Sequence, residues 1–303
     1  MMEIAVCGAF VDEQVERLKH GAGDIPVRLV EAEDSCDCAI VFGNPEPEQV
    51  ASNPSLRWLQ LESVGFGEYA GLDWNRDHGQ TVVTNLSGFF ADPVAESALA
   101  GILALYRGID SLVLLKAEKR WLGDPLRTAL RLLRGAHVVL IGYGTINRRL
   151  AELLAPFGCA ITPITRGSGS DALDMALADA DLVVCTAPAT PATSGLLDAA
   201  RLARLPARAL LCNFGRGSIL DEDSLADALE RGRLAGAVID VTDSEPLPHE
   251  HRFWNCPNII LTQHTGGGTM DELDRKIDVF LANLARFRAG TPLEGIVDFS
   301  RGY

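Results

Sequence analysis

The chain has 303 residues and a formal net charge of −14, which argues against nucleic acid or an anionic membrane as a partner, because both attract basic faces. Hydrophobic residues make up 47% of it and charged residues 22%, so it can bury one large core or two ordinary ones. The sequence has no apolar run long enough to span a bilayer, and its start reads as a strand without the basic region of a secretory signal.

The first part of the chain alternates short apolar runs with a helical pattern. Strands are predicted at residues 4–7, 27–30, 39–42, 58–61 and 81–84, and a helix at residues 11–19. This alternation is typical of an α/β domain with a mostly parallel sheet. After the fourth strand, Ser63-Val64-Gly65-Phe66-Gly67 forms a Gly-rich loop at a carboxyl strand end, where open α/β sheets bind ligands.

A long apolar helix is predicted next, from Pro93 through Leu105. Asp92 is its predicted N-cap and Pro93 its first residue, since these residue types are favoured at those positions. The helix is apolar nearly all round, which is typical of a helix covered on both faces.

Residues 137–147 read as a strand, a tight glycine turn and the start of a helix. An apolar run leads into Gly142-Tyr143-Gly144, and a helical pattern begins at Ile146. Gly142 lets the chain turn sharply, Gly144 lets the backbone approach a pyrophosphate, and the helix start offers free N–H groups. We therefore predict a dinucleotide-binding site; the alternative is an ordinary strand-to-helix turn that needs glycine for its backbone.

Asn147 stands where the dinucleotide fingerprint has its third glycine, at the closest approach of strand and helix. We expect either that the helix stands off slightly or that the Asn147 side chain points to solvent or cofactor. The motif is weakened but kept, because the third glycine packs the fold and does not touch phosphate.

Five more strands are predicted after this unit, at residues 160–165, 182–185, 209–212, 236–241 and 259–262. Helical patterns separate them, and an amphipathic helix at residues 271–288 ends the series. The alternation again predicts a parallel sheet.

Four polar side chains follow strands of this second sheet. Arg216 lies between two glycines, so its guanidinium can reach a carboxylate with little hindrance. Asp240 ends an apolar strand, where an acid is costly to bury unless it is paired or bound to a ligand. Glu245 lies in the irregular stretch that follows, and His264 comes just past the last strand. A surface arginine or a structural histidine is the simpler interpretation of each alone, but their expected convergence at one sheet edge favours an active site.

The seven cysteines are scattered, and we expect reduced thiols in a cytoplasmic protein. Cys36-Asp37-Cys38 contains one close pair of them. A zinc site would need a second Cys or His pair at ligand spacing, which the sequence lacks, so we predict no metal site.

The chain resembles the D-isomer-specific 2-hydroxyacid dehydrogenases of the glyoxylate/hydroxypyruvate reductase kind along nearly its whole length. The stretches that carry the resemblance are Gly-Tyr-Gly-Thr-Ile at 142–146, Ala-Pro-Ala-Thr-Pro-Ala-Thr at 187–193, Asn-Phe-Gly-Arg-Gly-Ser-Ile-Leu-Asp at 213–221, Gly-Ala-Val-Ile-Asp-Val and Glu-Pro-Leu-Pro within 236–248, and Leu-Thr-Gln-His at 261–264. The family's fold class implies α/β architecture with two Rossmann-like, doubly wound parallel-sheet domains and the active site in the cleft between them. Here it implies a discontinuous substrate domain of residues 1–88 and 272–303 and a dinucleotide-binding domain of residues 89–271.

The resemblance also implies an NAD(P)-dependent oxidoreductase that acts on the CH–OH group and reduces small 2-oxoacids to D-2-hydroxyacids. Its catalytic trio falls on Arg216, Glu245 and His264. His264 would give a proton to the forming alkoxide, Glu245 would orient it, and Arg216 would bind the substrate carboxylate and polarise the carbonyl. The N–H groups of Val64 and Gly65 would hold the substrate carboxylate as well.

The family's cofactor contacts fall on residues spread over several loops: Gly142, Gly144, Thr145, Ile146, Thr165, Arg166, Ala187, Pro188, Thr193, Phe214, Gly215, Asp240, Gly266 and Gly267. NAD enzymes carry an acid on the ribose about 20 positions past the glycine turn. Here Thr165 and Arg166 stand there, so NADP is expected as the preferred cofactor, with NAD possible. Gly167 and Ser168 would keep this loop open and add a donor.

Two departures and two alternatives accompany the resemblance. Besides Asn147, Gln263 replaces the usual proline before the histidine, which is expected to shift the histidine backbone. A cofactor-sensing binding protein or corepressor on the same fold is the first alternative. Formate dehydrogenases are the second, but that branch has Gln where this chain has Glu245. The family pattern further implies a homodimer through the cofactor domains, with the helix from Pro93 among the buried elements.

Overall fold

The computed structural model describes residues 2–32, 34, 37–72, 74 and 81–299. The chain divides into two compact units, one made of Met1–Phe89 with Thr269–Tyr303 and the other of Phe90–Gly268. The first unit therefore ends at residue 89 and resumes after residue 268, whereas the sequence analysis placed these boundaries at residues 88 and 271.

The first unit contains a five-stranded sheet in the order β2-β1-β3-β4-β5, and all its strand pairs are parallel. Its strands are β1 (Ile4–Cys7), β2 (Val27–Val30), β3 (Ile40–Phe42), β4 (Trp58–Gln60) and β5 (Val82–Thr84). Its helices are α1 (Asp12–Ala22), α2 (Pro47–Ser52) and, from the far end of the chain, α10 (Glu272–Ala289), besides a 3-10 turn at Gly67–Tyr69.

The core of the first unit depends on α10. Phe280 from this helix is 1% exposed and stacks on Phe42 of β3, with ring centroids 4.5 Å apart, and on Trp58 of β4, at 5.2 Å. Ile277 and Leu284 join the same cluster. The amphipathic pattern predicted at residues 271–288 therefore reflects one face packed on the N-terminal sheet.

The second unit contains a six-stranded parallel sheet in the order β11-β10-β9-β8-β6-β7. Its strands are β6 (His137–Ile141), β7 (Ala160–Ile164), β8 (Leu182–Cys185), β9 (Leu210–Asn213), β10 (Gly236–Ile239) and β11 (Ile259–Leu261). Its helices are α3 (Ala91–Arg107), α4 (Ile109–Ala117), α5 (Asp124–Arg127), α6 (Thr145–Leu154), α7 (Ser170–Ala178), α8 (Ala199–Leu202) and α9 (Glu222–Glu230), with 3-10 turns at Ala155–Phe157, Gly217–Ile219 and Arg252–Asn255. The strand order reverses between β6 and β8, so the predicted doubly wound α/β topology is confirmed here.

The start of α3 differs from the prediction. The helix begins at Ala91 with Phe90 as its N-cap, so Asp92 is its second residue and not the cap. Asp92 instead pairs with Arg149 of α6, Oδ1 to Nε 2.6 Å. Pro93 remains compatible with the first turn, because N–H groups there have no partner within the helix.

A further helix, α4, follows α3 after Gly108 and was not predicted. Its apolar residues Leu112 to Leu115 are consecutive and therefore lie on different sides of the helix, so it has no distinct apolar face, and none of its nine residues is buried. No single helix among the described residues is long and apolar enough to cross a membrane; α3 and α4, which meet at a 71° bend, meet the length and composition criteria only when taken together.

Candidate active site

The glycine turn after β6 has the geometry of an anion cradle. Gly142 has a φ of 80°, and a Cβ there would lie 2.8 Å from the backbone of Ala187, so no larger residue fits. A Cβ at Gly144 would meet nothing within 4 Å. Thr145 and Ile146 begin α6, and no side chain caps the N-terminus of this helix. The first-turn N–H groups of a ten-residue helix thus border open space, which fits the pyrophosphate of a dinucleotide.

Asn147 points into the protein, contrary to the expectation that it faces solvent or cofactor. It is fully buried, and its Nδ2 donates to the carbonyl oxygens of Ile141 (3.1 Å), Gly142 (2.9 Å) and Val184 (3.4 Å). The hydroxyl of Thr186 donates to the same Gly142 carbonyl at 2.9 Å. The Asn147 amide therefore stabilises the glycine turn from the protein interior, because buried carbonyl groups at the strand ends need a hydrogen-bond donor.

The loops after β8 and β9 meet beside this turn. A Cβ on Gly215 would lie 2.6 Å from the carbonyl oxygen of Ala187, so the two backbones touch. Thr193 donates to Pro188 O at 2.6 Å and accepts from Thr190 N–H, so its hydroxyl holds its own loop together. Phe214 is 5% exposed and belongs to the core of the second unit.

The loop after β7, which was expected to stay open, is a closed turn. The Thr165 N–H donates to Ser168 Oγ at 3.0 Å, and the Ser168 N–H donates back to Thr165 O at 3.0 Å. Thr165, Arg166 and Gly167 are all exposed on this turn. Ser168 therefore shapes the turn through its hydroxyl, which accepts a hydrogen bond from the backbone.

Arg216 is exposed at the carboxyl end of β9 and is held there by a buried asparagine. Asn213 Nδ2 donates to the Arg216 carbonyl at 3.1 Å, and its Oδ1 accepts from Gly215 N–H at 3.1 Å. The Arg216 guanidinium donates to Gly215 O at 2.7 Å. Asn213 was not among the predicted site residues; its signal is an asparagine at the end of an otherwise apolar strand.

Asp240, the acid after β10, is 6% exposed and well satisfied. Its Oδ1 accepts from the Thr262 hydroxyl at 2.5 Å and from Gly266 N–H at 3.1 Å. Its carbonyl accepts from His264 N–H at 2.7 Å. A Cβ at Gly267 would lie 2.8 Å from the Phe90 ring, so this glycine segment is close-packed on the start of α3.

His264 and Glu245 form a direct pair. His264 Nδ1 lies 2.7 Å from Glu245 Oε2, and Thr242 N–H donates to Glu245 Oε1 at 3.0 Å. Burial alone would raise the pKa of the Glu245 carboxyl, but these two hydrogen bonds and the charges of His264 and Arg216 outweigh it, so the pKa lies below its ordinary value. The structure therefore brings Arg216, Glu245 and His264 into one electrostatic cluster.

The backbone before the histidine is unusual. Gln263 and His264 both adopt the left-handed conformation, with φ of 54° and 55°. Proline, whose φ is locked near −65°, is excluded from such a position. The shift expected at the histidine backbone is therefore present as two consecutive left-handed residues. This conformation costs about 1–3 kcal/mol per residue and clusters at functional sites.

Val64 and Gly65 belong to the first unit and follow β4. The Val64 carbonyl accepts from Asn85 Nδ2 at 2.7 Å, and the Gly65 carbonyl accepts from the Ser63 hydroxyl at 2.7 Å. In a trans peptide the N–H and the carbonyl point in opposite directions, so the Gly65 N–H points away from the Asn85 side chain that binds the Val64 carbonyl.

Among the described residues, no group of three or more His, Cys, Asp and Glu side chains could hold a metal ion. Cys36, one of the pair considered in the sequence, lies outside the described residues.

Comparison with known proteins identifies the family. Residues 99–266 match the model of the D-isomer specific 2-hydroxyacid dehydrogenase, NAD binding domain. A glyoxylate/hydroxypyruvate reductase A of Serratia proteamaculans is 31% identical over 88% of this chain and 88% of its own. The chain belongs to this family. It is accordingly an NAD(P)-dependent oxidoreductase that acts on CH–OH groups, as the sequence predicted.

Solved structures agree in fold over the whole chain. A D-isomer specific 2-hydroxyacid dehydrogenase from Xanthobacter autotrophicus Py2, in complex with NADPH and MES, has a TM-score of 0.82 at 26% identity and covers 100% of both chains. The NADPH-dependent glyoxylate/hydroxypyruvate reductase of Sinorhizobium meliloti has the same TM-score at 23% identity, also over 100% of both chains, which shows the common fold. The two-domain Rossmann-like fold class is thus confirmed.

Glu245→Gln tests how the pair contributes to stability. A carboxyl whose pKa is lowered in the folded state stabilises it above the unfolded value, about 4.3, and this contribution is lost as the pH falls through the folded value. The wild type should therefore exceed the Gln variant in free energy of unfolding at about pH 7, and the gap should close toward about pH 3, measured by urea denaturation. Glu250→Gln, in the same exposed stretch, is the control for losing one carboxylate. A gap that does not change with pH would contradict the assignment.

Proposed function

We propose that the enzyme reduces small 2-oxoacids of the glyoxylate and hydroxypyruvate type to D-2-hydroxyacids, with NADPH as the preferred cofactor. The observation that carries the proposal is the 2.7 Å His264–Glu245 pair with Arg216 close enough for its charge to act on Glu245. The Serratia relative named a glyoxylate/hydroxypyruvate reductase supports this substrate class. The comparisons do not favour a cofactor-sensing corepressor.

The reaction needs a hydride on the carbonyl carbon and a proton on its oxygen. When bound, the reduced nicotinamide supplies the hydride. We assign the proton to His264: its Nδ1 is engaged by Glu245, so Nε2 is the nitrogen that can donate to the forming alkoxide. Glu245, itself fixed by Thr242 N–H, orients the ring.

We assign carboxylate binding to Arg216, whose forked guanidinium suits a bidentate contact and whose charge stabilises the alkoxide as it develops. The Asn213 clamp on the Arg216 backbone keeps the arginine at the sheet edge. The Val64–Gly65 loop is our candidate for a second carboxylate contact through backbone N–H groups.

For the cofactor, we assign the pyrophosphate to Gly142, Gly144 and the start of α6, and the nicotinamide amide to the remaining acceptor of Asp240. The first unit is then the substrate domain and the second the dinucleotide domain. The six cysteines of the described residues form no disulfide, which is compatible with a reducing compartment such as the cytoplasm.

The first test is a spectrophotometric screen of 2-oxoacids with His264→Asn as the key variant. The change should lower kcat on the best 2-oxoacid by about 100-fold or more, because a general acid is lost. NADPH binding, measured by fluorescence titration, should be retained. His249→Asn, at an exposed histidine of the same unit, is the control. A near wild-type rate in His264→Asn would show that another group gives the proton.

The preference for NADPH rests on Thr165 and Arg166. Neither can act as the acid that repels a 2′-phosphate, and Arg166 can add a charge-assisted contact worth about 1.5–3 kcal/mol, or one to two decades of affinity. The Xanthobacter structure with NADPH supports this choice. We expect kcat/KM for NADPH to exceed that for NADH by about tenfold or more.

Thr165→Asp combined with Arg166→Ala should reverse this preference, whereas Arg134→Ala, at another exposed arginine of the unit, should leave it unchanged. Equal wild-type titration curves for NADPH and NADH would refute the proposal for this turn.

We also propose a homodimer, formed mainly by the segment after α3. Seven of the seventeen residues of α3 are buried, and Val94, Ala98 and Ile102 pack within their own unit, so part of the helix expected at the interface is already covered. In contrast, apolar side chains are exposed along α4 and the stretch after it, among them Val113 (61%), Leu114 (66%) and Trp121 (94%). A groove of about 730 Å³ lies beside them. Clustered exposed apolar residues of this kind mark interfaces, and two copies of this segment would cover each other.

Val113→Glu combined with Leu114→Glu should convert the dimer to a monomer, because it places two charges in an apolar contact. Light scattering coupled to size exclusion at micromolar concentration measures the mass. Met175→Glu, at a 72% exposed methionine on α7, should not change it. A monomeric wild type would refute the proposal.

A further inference from the structure

Behind the loop that carries Glu245 lies a second glutamate–histidine pair, Glu222 and His251. Glu222 is the first residue of α9, and His251 is the N-cap of the 3-10 turn Arg252–Asn255. Glu222 Oε2 lies 3.2 Å from His251 Nε2, and the two side chains are 13% and 24% exposed. The pair is therefore more enclosed than Glu245 and His264, at 37% and 53%.

The other oxygen of Glu222 holds the backbone of the catalytic loop. Glu222 Oε1 accepts from the Asp243 N–H at 2.9 Å. The preceding residue, Thr242, is the one whose N–H donates to Glu245. One carboxylate thus anchors the loop beside the residue from which Glu245 takes its own hydrogen bond.

The peptide between Thr242 and Asp243 is blocked on another side by Gly217. A Cβ at Gly217 would fall 2.0 Å from the Thr242 carbonyl carbon and 2.1 Å from the Asp243 nitrogen. The peptide is therefore confined by a backbone contact at Gly217 and by the hydrogen bond to Glu222, which together leave it little freedom to move.

The role of His251 follows from its hydrogen bonds. Its Nδ1 accepts from the Phe253 N–H at 3.2 Å, so the neutral ring carries its proton on Nε2, toward Glu222. Burial raises the pKa of the Glu222 carboxyl, and the bonds from Asp243 N–H and His251 oppose that rise. His251 is thus the donor that keeps Glu222 oriented as an acceptor for Asp243.

We propose that Glu222, held by His251, is a positioning residue for the reduction, because its hydrogen bond to Asp243 sets the loop from which Glu245 orients His264. The inference rests on the proposed function, in which His264 gives the proton. Glu222 acts on the loop through the backbone N–H of Asp243, and the His251 side chain holds its other oxygen. A displacement of about 1 Å in a catalytic geometry can cost about 100-fold in rate, so a loosened loop is expected to lower kcat while cofactor binding stays intact.

Glu222→Ala and Glu222→Gln are the variants that test this. Glu222→Ala removes the acceptor and should lower kcat about tenfold, with the NADPH dissociation constant within about twofold. Glu222→Gln keeps a carbonyl oxygen for the Asp243 N–H and should recover most of that loss. Asp223→Ala, at the neighbouring residue of α9, whose side chain is 90% exposed, removes the same charge from the helix start and should match the wild type.

Hydrogen exchange measured by mass spectrometry gives a readout that needs no activity. In Glu222→Ala the peptide that covers residues 241–247 should exchange faster than in the wild type, and in Asp223→Ala it should not. If Glu222→Ala does not fold, His251→Ala removes the supporting donor and should give the same faster exchange with a smaller loss of kcat.

A wild-type kcat in Glu222→Ala would overturn the proposal, as would a loss of kcat without faster exchange, or an equal loss in Asp223→Ala. If the wild type reduces no 2-oxoacid, the proposed function fails, and unchanged exchange in Glu222→Ala would separately overturn the assignment of Glu222.

Discussion

The common direction of six strands is the constraint on which the site in the second unit depends. Every pair in that sheet is parallel, so every strand presents its carboxyl end at the same edge. The glycine turn leaves β6 there, Arg216 follows β9, Asp240 follows β10 and His264 follows β11. Residues far apart in sequence therefore share one edge without any special loop to bring them together.

Close backbone contact at this edge explains why glycine recurs there. Gly142 and Gly215 both approach Ala187, and Gly217 lies against the peptide after Thr242. A side chain at any of these positions would have to displace backbone, and backbone cannot rotate away as a flexible side chain can. The polar groups around them are accordingly held by several short hydrogen bonds, as Asp240 and Glu245 show.

Sequence reasoning was most successful where one physical cause dominates. Apolar runs such as residues 182–185 coincide with strands because both faces of a parallel sheet are buried. The catalytic candidates were found because strand ends converge. For Asn147, the alternative that its side chain faces solvent or cofactor was wrong, because three nearby carbonyl oxygens make an inward amide favourable.

Other features depend on contacts that no local pattern shows. The cap of α3 was misplaced because Asp92 is engaged by Arg149, which lies on a different helix. The α4 helix lacks the periodicity that an amphipathic helix shows, so its apolar residues did not predict it. The left-handed backbone at Gln263 and His264 accompanies the bond from His264 N–H to Asp240 O, a contact between the ends of two strands.

Because α10 packs in the core of the first unit, that core can be completed only after the second unit has been synthesised. Phe42 and Trp58 are synthesised before the second unit, whereas Phe280, which stacks on both, is synthesised after it. The second unit is one continuous stretch, Phe90–Gly268, and can complete its core while the chain is still being made. Until α10 has been synthesised, the N-terminal sheet keeps part of the apolar face that bears Phe42 and Trp58 uncovered, because α1 covers only the rest of it. During that interval the nascent chain presents a binding surface for chaperones, and a C-terminal truncation would leave it permanently exposed.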